Sequence, residues 1–246
     1  MYYELKHTTI RLAGSLHLVP AGSVIPAWVW DAYSWSEDIY LEANGDELSK
    51  YAFLPSGALT KDKLPSHLWP RLEAAWPAGG KIDSQKLWVV TMILATSGLG
   101  LVHGVEPQIT RRAAADSRSI DYLETMSEFA ALMDGVNDSV YVNAIAMLLA
   151  DPTKRARDIA DMYEAWITGD VEEIGAVMAR ISMAQFPEVQ KVIFERRNCN
   201  WLPRIAATLS TRKRTLIIVG AGHLAGTSGL LPLLQRAGYE VSPIAH

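Results

Sequence analysis

Apolar and polar positions alternate in the short period of strands near both ends of this chain, and in the longer period of helices between them. Residues 8–17 (TTIRLAGSLH) predict a strand closed by a glycine turn. Residues 26–36 predict a short helix opened by proline, with Trp28, Trp30, Tyr33 and Trp35 as packing residues. Residues 38–43 (DIYLEA) predict a compact strand ending in Glu42, ahead of the turn formers Asn44, Gly45 and Asp46. A helical pattern covers 66–117, and its uncharged run 87–102 reads as one buried helix. Residues 119–124 (SIDYLE) predict a third strand. A helical block then spans 125–210, with apolar faces over 126–133 and 140–150, a new helix at Asp151-Pro152 and an amphipathic stretch from Pro187. Residues 215–220 (TLIIVG) are the clearest buried strand, followed by a helix over about 228–237 and a last strand at 239–244.

Strands at both ends with helices between them predict an α/β fold. Its central sheet, mixed or mainly parallel, is formed by the N- and C-terminal strands and carries a largely helical inserted lobe at about 125–210. Residues 1–246 are expected to form a single domain.

Composition narrows the class of function. Hydrophobic residues make up 49% of the chain and charged residues 20%, the balance of a folded globule. A net charge of −4 argues against nucleic acid or an anionic membrane as partner. Cys199 is the only cysteine, which excludes an internal disulfide and a thiolate zinc cluster. No apolar run reaches the roughly 18 residues of a membrane-spanning helix. The first residues lack the succession of a secretory signal, so the expected location is cytoplasmic.

Two segments carry candidate chemistry. Gly14-Ser15-Leu16-His17 and Gly220-Ala221-Gly222-His223 are both G-x-x-H turns that follow a strand. If those strands are neighbours in a parallel sheet, both imidazoles emerge at its carboxyl edge, where open α/β sheets bind ligands. Neutral imidazoles ligate transition metals, and carboxylates complete such sites. Glu42 and Glu124, each ending a predicted strand, are placed to converge there. For Glu124, stabilising the N-terminus of the helix at Thr125 accounts for the position equally well. Residues 216–226 (LIIVGAGHLAG) imitate the opening of a dinucleotide-binding unit. The chain ends after the next strand, however, and no acidic residue stands at that strand's end to take a ribose.

The stretches IRLAGSLHLVP, DIYLEA, GVEPQITRRA, IDYLET, ERRNCNW and LIIVGAGHLAGTSGLLPLLQRAGYEV, in this order from about Ile10 to Val241, resemble the landmarks of the TraB/GumN superfamily. That group includes the Tiki-type metal-dependent peptidases. The resemblance implies a metal-dependent hydrolase, most nearly a Tiki-like peptidase, whose catalytic residues are His17, Glu42, Glu124, Arg197 and His223. Of these, His17, Glu42 and His223 would hold a divalent transition metal (Mn, Co or Zn). Arg197 and Asn198 match the family's Arg-Asn pair, and Glu106 stands where Asp is common. Arg197 would face oxyanion charge or clamp a substrate carboxylate; taken alone it reads as an ion pair with a helix neighbour such as Glu195. The expected partner is a peptide or small-molecule substrate, with no nucleic acid and no membrane span. Two other functions suit the same edge: a non-catalytic peptide or small-ligand binding and regulatory module, and a metal-independent, esterase-like hydrolase.

Overall fold

The computed structural model describes residues 1–181 and 186–245; residues 182–185 of the expected helical block and His246 lie outside the described residues. The front of the chain supplies β1 (Tyr2–Leu5), β2 (Ile10–Ser15), β3 (Leu18–Pro20), α1 (Ala27–Trp35) and β4 (Asp38–Leu41). Trp28 and Tyr33 on α1 are buried, while Trp30 and Trp35 are half-buried. After short 3₁₀ turns come α2 (Trp69–Ala75), α3 (Leu87–Thr96), β5 (Leu101–His103), α4 (Val105–Ala115) and β6 (Asp121–Tyr122).

The uncharged run at 87–102 is therefore not one helix. Gly98 and Gly100 take φ of 72° and 62°, which ends α3 and turns the chain into β5. That strand pairs antiparallel with β3, Val19 opposite Val102, in a two-stranded ribbon beside the main sheet.

The helical block comprises α5 (Met126–Asp134), α6 (Asp138–Ala150), α7 (Pro152–Thr168), α8 (Val171–Arg180), α9 (Pro187–Gln190), a π-helical turn at Lys191–Arg196 and α10 (Arg197–Thr208). Their starts follow sequence signals. Thr125 and Glu128 form a capping box on α5, and Asn137, Asp151 and Asp170 cap α6, α7 and α8 through side-chain oxygens. The chain closes with β7 (Thr215–Gly220), α11 (Leu230–Arg236) and β8 (Val241–Pro243).

The six-stranded sheet runs β6-β4-β7-β2-β1-β8. β7 is parallel to both β2 and β4, and β4 is parallel to β6; β1 is antiparallel to β2 and to β8. Every residue of β7 is buried, as an uninterrupted apolar run at the centre of a sheet covered on both faces should be. Two buried apolar cores result. One joins the sheet to α1, α4, α11 and the inward faces of α7, α8 and α10, and the other binds α3, α5 and α6 to one another. Among the described residues no helix is long and apolar enough to cross a membrane.

Candidate active site at the carboxyl edge of the sheet

Register places the candidate side chains. Ser15 pairs with Gly220 at the ends of β2 and β7, so His17 and His223 leave the sheet from adjacent strands at the same edge. The β4–β6 pairing continues past the strands, with Leu123 N–H donating to Leu41 C=O and Glu124 N–H to Glu42 C=O. Glu42 and Glu124 thereby stand side by side at that edge.

Two contacts from outside the sheet shape the His17 turn. Trp166 Nε1 donates to the Gly14 carbonyl at 2.8 Å from within the core. Gly104 N–H donates to His17 C=O, and Val105 N–H donates to Leu16 C=O. The backbones approach so closely that a Cβ on Gly104 would lie 1.8 Å from the Leu16 carbonyl oxygen. Only glycine fits there. This approach delivers Glu106, at the start of α4, under the turn, where one carboxylate oxygen accepts from the Ser15 hydroxyl and lies 2.9 Å from His17 Nδ1.

At the centre, Arg197 on α10 spans both carboxylates. Its Nη2 donates to Glu42 Oε2 at 2.6 Å, its Nε to Glu124 Oε1 at 2.7 Å, and its Nη1 lies 3.2 Å from His223 Nε2. The aromatic faces of Phe129 and Trp201 lie 4.9 Å and 4.7 Å from the guanidinium carbon. Glu195, the helix neighbour, is exposed and is not the partner of Arg197. The other oxygen of Glu42 accepts from Gly220 N–H at 2.6 Å.

The tautomer of His223 follows from its neighbours. Asn198 Nδ2 donates to the carbonyls of His223 and Ser228, so its Oδ1 is the acceptor 2.7 Å from His223 Nδ1. Nδ1 therefore carries the proton, and the Nε2 lone pair points toward Arg197 and Glu42. Phe194 and Trp201 flank the ring at 4.9 Å and 4.5 Å between centroids.

These surroundings polarise the group. Burial pushes the His223 pKa down to about 3, and Arg197 adds to that. For Glu42, burial alone would raise the pKa; the charges of His223, Arg197 and His17 and the Gly220 N–H overturn it and hold the carboxyl well below its ordinary value. Because His223 is neutral near pH 7, Arg197 and His17 carry that effect there. Glu124 is raised, since burial outweighs the opposing Arg197 charge. His17 is raised, first by the Glu106 charge, although its side chain is 62% exposed and water screens the pull. Glu106 is half-buried, which alone would raise its pKa, yet its pairing with His17 and Ser15 brings it down.

The structure thus brings together all five residues singled out from the sequence. His17 Nε2 lies 3.9 Å and His223 Nε2 lies 3.7 Å from one atom, Glu42 Oε1. Only His17 opens to solvent; Glu42, Glu124, Arg197 and His223 are buried. Ser15 and the pairing of Glu106 with His17 had not been derived from the sequence, nor had the hold of Asn198 on His223. The signal for the first was Gly104, which only a close backbone crossing explains.

Whether these residues suit a metal ion can be judged from the donors. A Cβ on Gly220 would lie 3.3 Å from both Glu42 Oε1 and His17 Nε2, so glycine leaves a small cradle between them. Asn198 fixes the ligating tautomer of His223, as outer partners of metal-bound histidines do. Glu42 and Glu124 share the one guanidinium of Arg197, while Glu106 pairs with His17, so one carboxylate charge at the centre is left over toward a cation. The donor set fits in kind. As the side chains stand, no group of three or more His, Cys, Asp or Glu among the described residues is arranged for an ion. Arg197 Nη1 takes the His223 lone pair, so that contact and ligation by His223 exclude each other.

The nucleotide-binding imitation has a different ending. After Gly220 the chain makes a 3₁₀ turn (Ala221–His223), and α11 begins only at Leu230, so no helix N-terminus faces the glycines.

A family model described as TraB/PrgY/gumN matches residues 3–243, nearly the whole chain. Comparison with curated proteins and with solved structures gave no match.

Proposed function

Since the chain belongs to the TraB/PrgY/gumN family, we propose that it is a hydrolase of the Tiki-like peptidase kind, attacking an amide carbonyl with water activated between His17 and Glu42. The observation that carries this reading is the placement of both Nε2 atoms beside one oxygen of Glu42, with His17 alone at the solvent mouth. His17, Glu42 and His223 would hold a divalent transition metal such as Mn, Co or Zn. Such an ion would supply Lewis acidity, lowering the pKa of coordinated water from about 15.7 to near 7.

The protein's own groups have separable tasks. Glu42 is held ionised; it accepts the proton of the attacking water and returns it to the departing amine. His17, oriented by Glu106 through Nδ1, presents Nε2 at the solvent mouth as the nitrogen that would ligate the ion. Arg197 holds the Glu42 and Glu124 carboxylates apart and offsets their charge. Asn198 keeps His223 in one tautomer. Glu124 positions Arg197.

The test is turnover of a diverse peptide library by metal-free protein, before and after adding Mn, Co or Zn. Metal should restore cleavage, and His17→Ala and His223→Ala should each lower it by about a hundredfold or more. Cleavage indifferent to both substitutions would overturn the proposal. One observation favours a second reading. The 2.9 Å contact between His17 Nδ1 and Glu106 already orients an imidazole base without any ion. Metal-independent, esterase-like hydrolysis would survive exhaustive chelation and fall with Glu106→Gln.

A further inference from the structure

The strands beside the His17 turn, β3 and β5, pair only with each other among the described residues. Their register fixes which backbone groups face outward. Gly104 N–H donates to His17 C=O and Ala21 N–H to Gly100 C=O. The hydrogen-bonded pairs of this antiparallel ribbon are therefore His17 with Gly104, Val19 with Val102 and Ala21 with Gly100. The N–H and C=O of Val102 face β3, and those of Leu101 and His103 face away from it.

The two outer edges differ. On β3 the outward residues are Leu18 and Pro20; proline has no N–H to offer, and α7 packs against this strand. On β5, Leu101 N–H, Leu101 C=O and His103 N–H have no hydrogen-bond partner among the described residues, and His103 C=O has only the Gln108 side-chain amide, at 3.5 Å. Proteins ordinarily blunt such an edge with lysine, proline or a bulge. β5 reads Leu-Val-His and carries none of these, and Val102 at its middle is 45% exposed. Its open groups recur at every second residue, the spacing at which an extended peptide offers its own.

The edge also leads to the site. β5 runs toward Gly104, and its last residue, His103, lies opposite Leu18, the residue after His17. A strand added outside β5 would lie two strand spacings, about 10 Å, from the His17 backbone, a gap that about three extended residues span.

Resting on the peptidase reading for the occupant, we propose that the outer edge of β5 is the docking strand for substrate. It takes an unfolded polypeptide segment in extended form, through main-chain hydrogen bonds to Leu101 and His103, and leads it to His17. Recognition of the main chain tolerates many side chains, favours a β-branched residue beside Val102 and excludes helical segments.

Docking is measured without turnover, on metal-free protein, so failure of the proposed hydrolysis leaves it readable. A hexapeptide of alternating threonine and valine, with fluorescein at its amino end and an amide at the other, should gain fluorescence anisotropy on binding. His103→Pro removes one outward donor without touching the bonds to β3, and should weaken binding by about tenfold or more at an unchanged Tm. His103→Ala keeps that N–H and should bind as the wild type does, which separates main-chain docking from any role of the imidazole. In the wild type the peptide should slow hydrogen exchange of the Leu101 and His103 amides, a readout that stands if His103→Pro fails to fold. In the peptide-cleavage assay His103→Pro should raise KM and leave kcat unchanged. Absence of binding, affinity lost equally in both His103 variants, or exchange unaltered at both amides overturns the proposal. A concentration-dependent dimer that His103→Pro abolishes overturns it too, by giving the edge to a second copy of this chain.

Discussion

Truncating Arg197 would leave Glu42 and Glu124 buried beside each other with no guanidinium between them. Breaking a buried ionic group from one side costs about 3–5 kcal/mol, so Arg197→Met should lower the urea unfolding free energy by that order. Arg197→Lys should recover only part of the loss, because one ammonium cannot reach three acceptors in the fork geometry used here. A loss below about 1 kcal/mol for Arg197→Met would mean that the carboxylates take up protons or reach water without it. Asn198 acts through His223. Asn198→Ala should leave the fold in place but free the ring to change tautomer, lowering metal affinity or turnover by about 10–100-fold. Isothermal titration with Zn and the kcat of the peptide assay both read this, and unchanged values in both would remove Asn198 from the proposed machinery.

Among the elements, the crossing of β3 and β5 over the His17 turn is where sequence and structure parted most. The strand-end positions of His17, Glu42, Glu124 and His223 were legible because each follows a run of β-forming residues, and parallel pairing carries all such ends to one edge. The ribbon was not, because three-residue strands leave too little periodicity and β5 lies in an apolar stretch that reads as helix. Its geometry rests on Gly104, whose Cβ would meet the Leu16 carbonyl oxygen at 1.8 Å, an obstacle of backbone that no rotamer change relieves. Gly104→Ala should therefore cost about 3 kcal/mol and move α4, taking Glu106 away from Ser15 and His17. Thermal unfolding measures the first effect, and the imidazole proton resonances of His17 measure the second. A variant with wild-type Tm and unchanged His17 resonances would show the crossing to be compliant.

Across the whole molecule, the legible part was the parallel frame, because a centrally buried strand such as β7 must be apolar on both faces. The pairing of α10 with the sheet edge was hidden, since Arg197 lies 155 positions from Glu42 and nothing local specifies that contact; only resemblance to the family supplied it. The outcome is two imidazoles joined to one carboxylate and shifted in opposite directions, and this gives stability a definite pH profile. His223 is neutral in the fold, with a pKa of about 3, against roughly 6.5 when unfolded. Below about pH 6.5 the unfolded chain binds a proton that the fold refuses, so stability falls with acidification, approaching about 1.4 kcal/mol per unit for one proton. His17 behaves conversely: raised by Glu106, it contributes stability that is complete below its unfolded pKa and lost as pH climbs through its folded one near 9. The exposure of its ring makes that alkaline slope the shallower of the two. Unfolding free energies measured from pH 5 to 9 should peak near pH 6.5, roughly where the two unfolded imidazoles titrate. His223→Asn should flatten the acid limb between about pH 5 and 6.5, while His17→Ala should flatten the alkaline limb. Glu42 and Glu106, both held low, add their own losses only below about pH 4.5, the range in which unfolded carboxylates take up protons. An acid limb that keeps its slope in His223→Asn would mean the proton enters the folded site, in which case the Nε2 lone pair facing Arg197 is not as closed to it as the burial and the neighbouring guanidinium require.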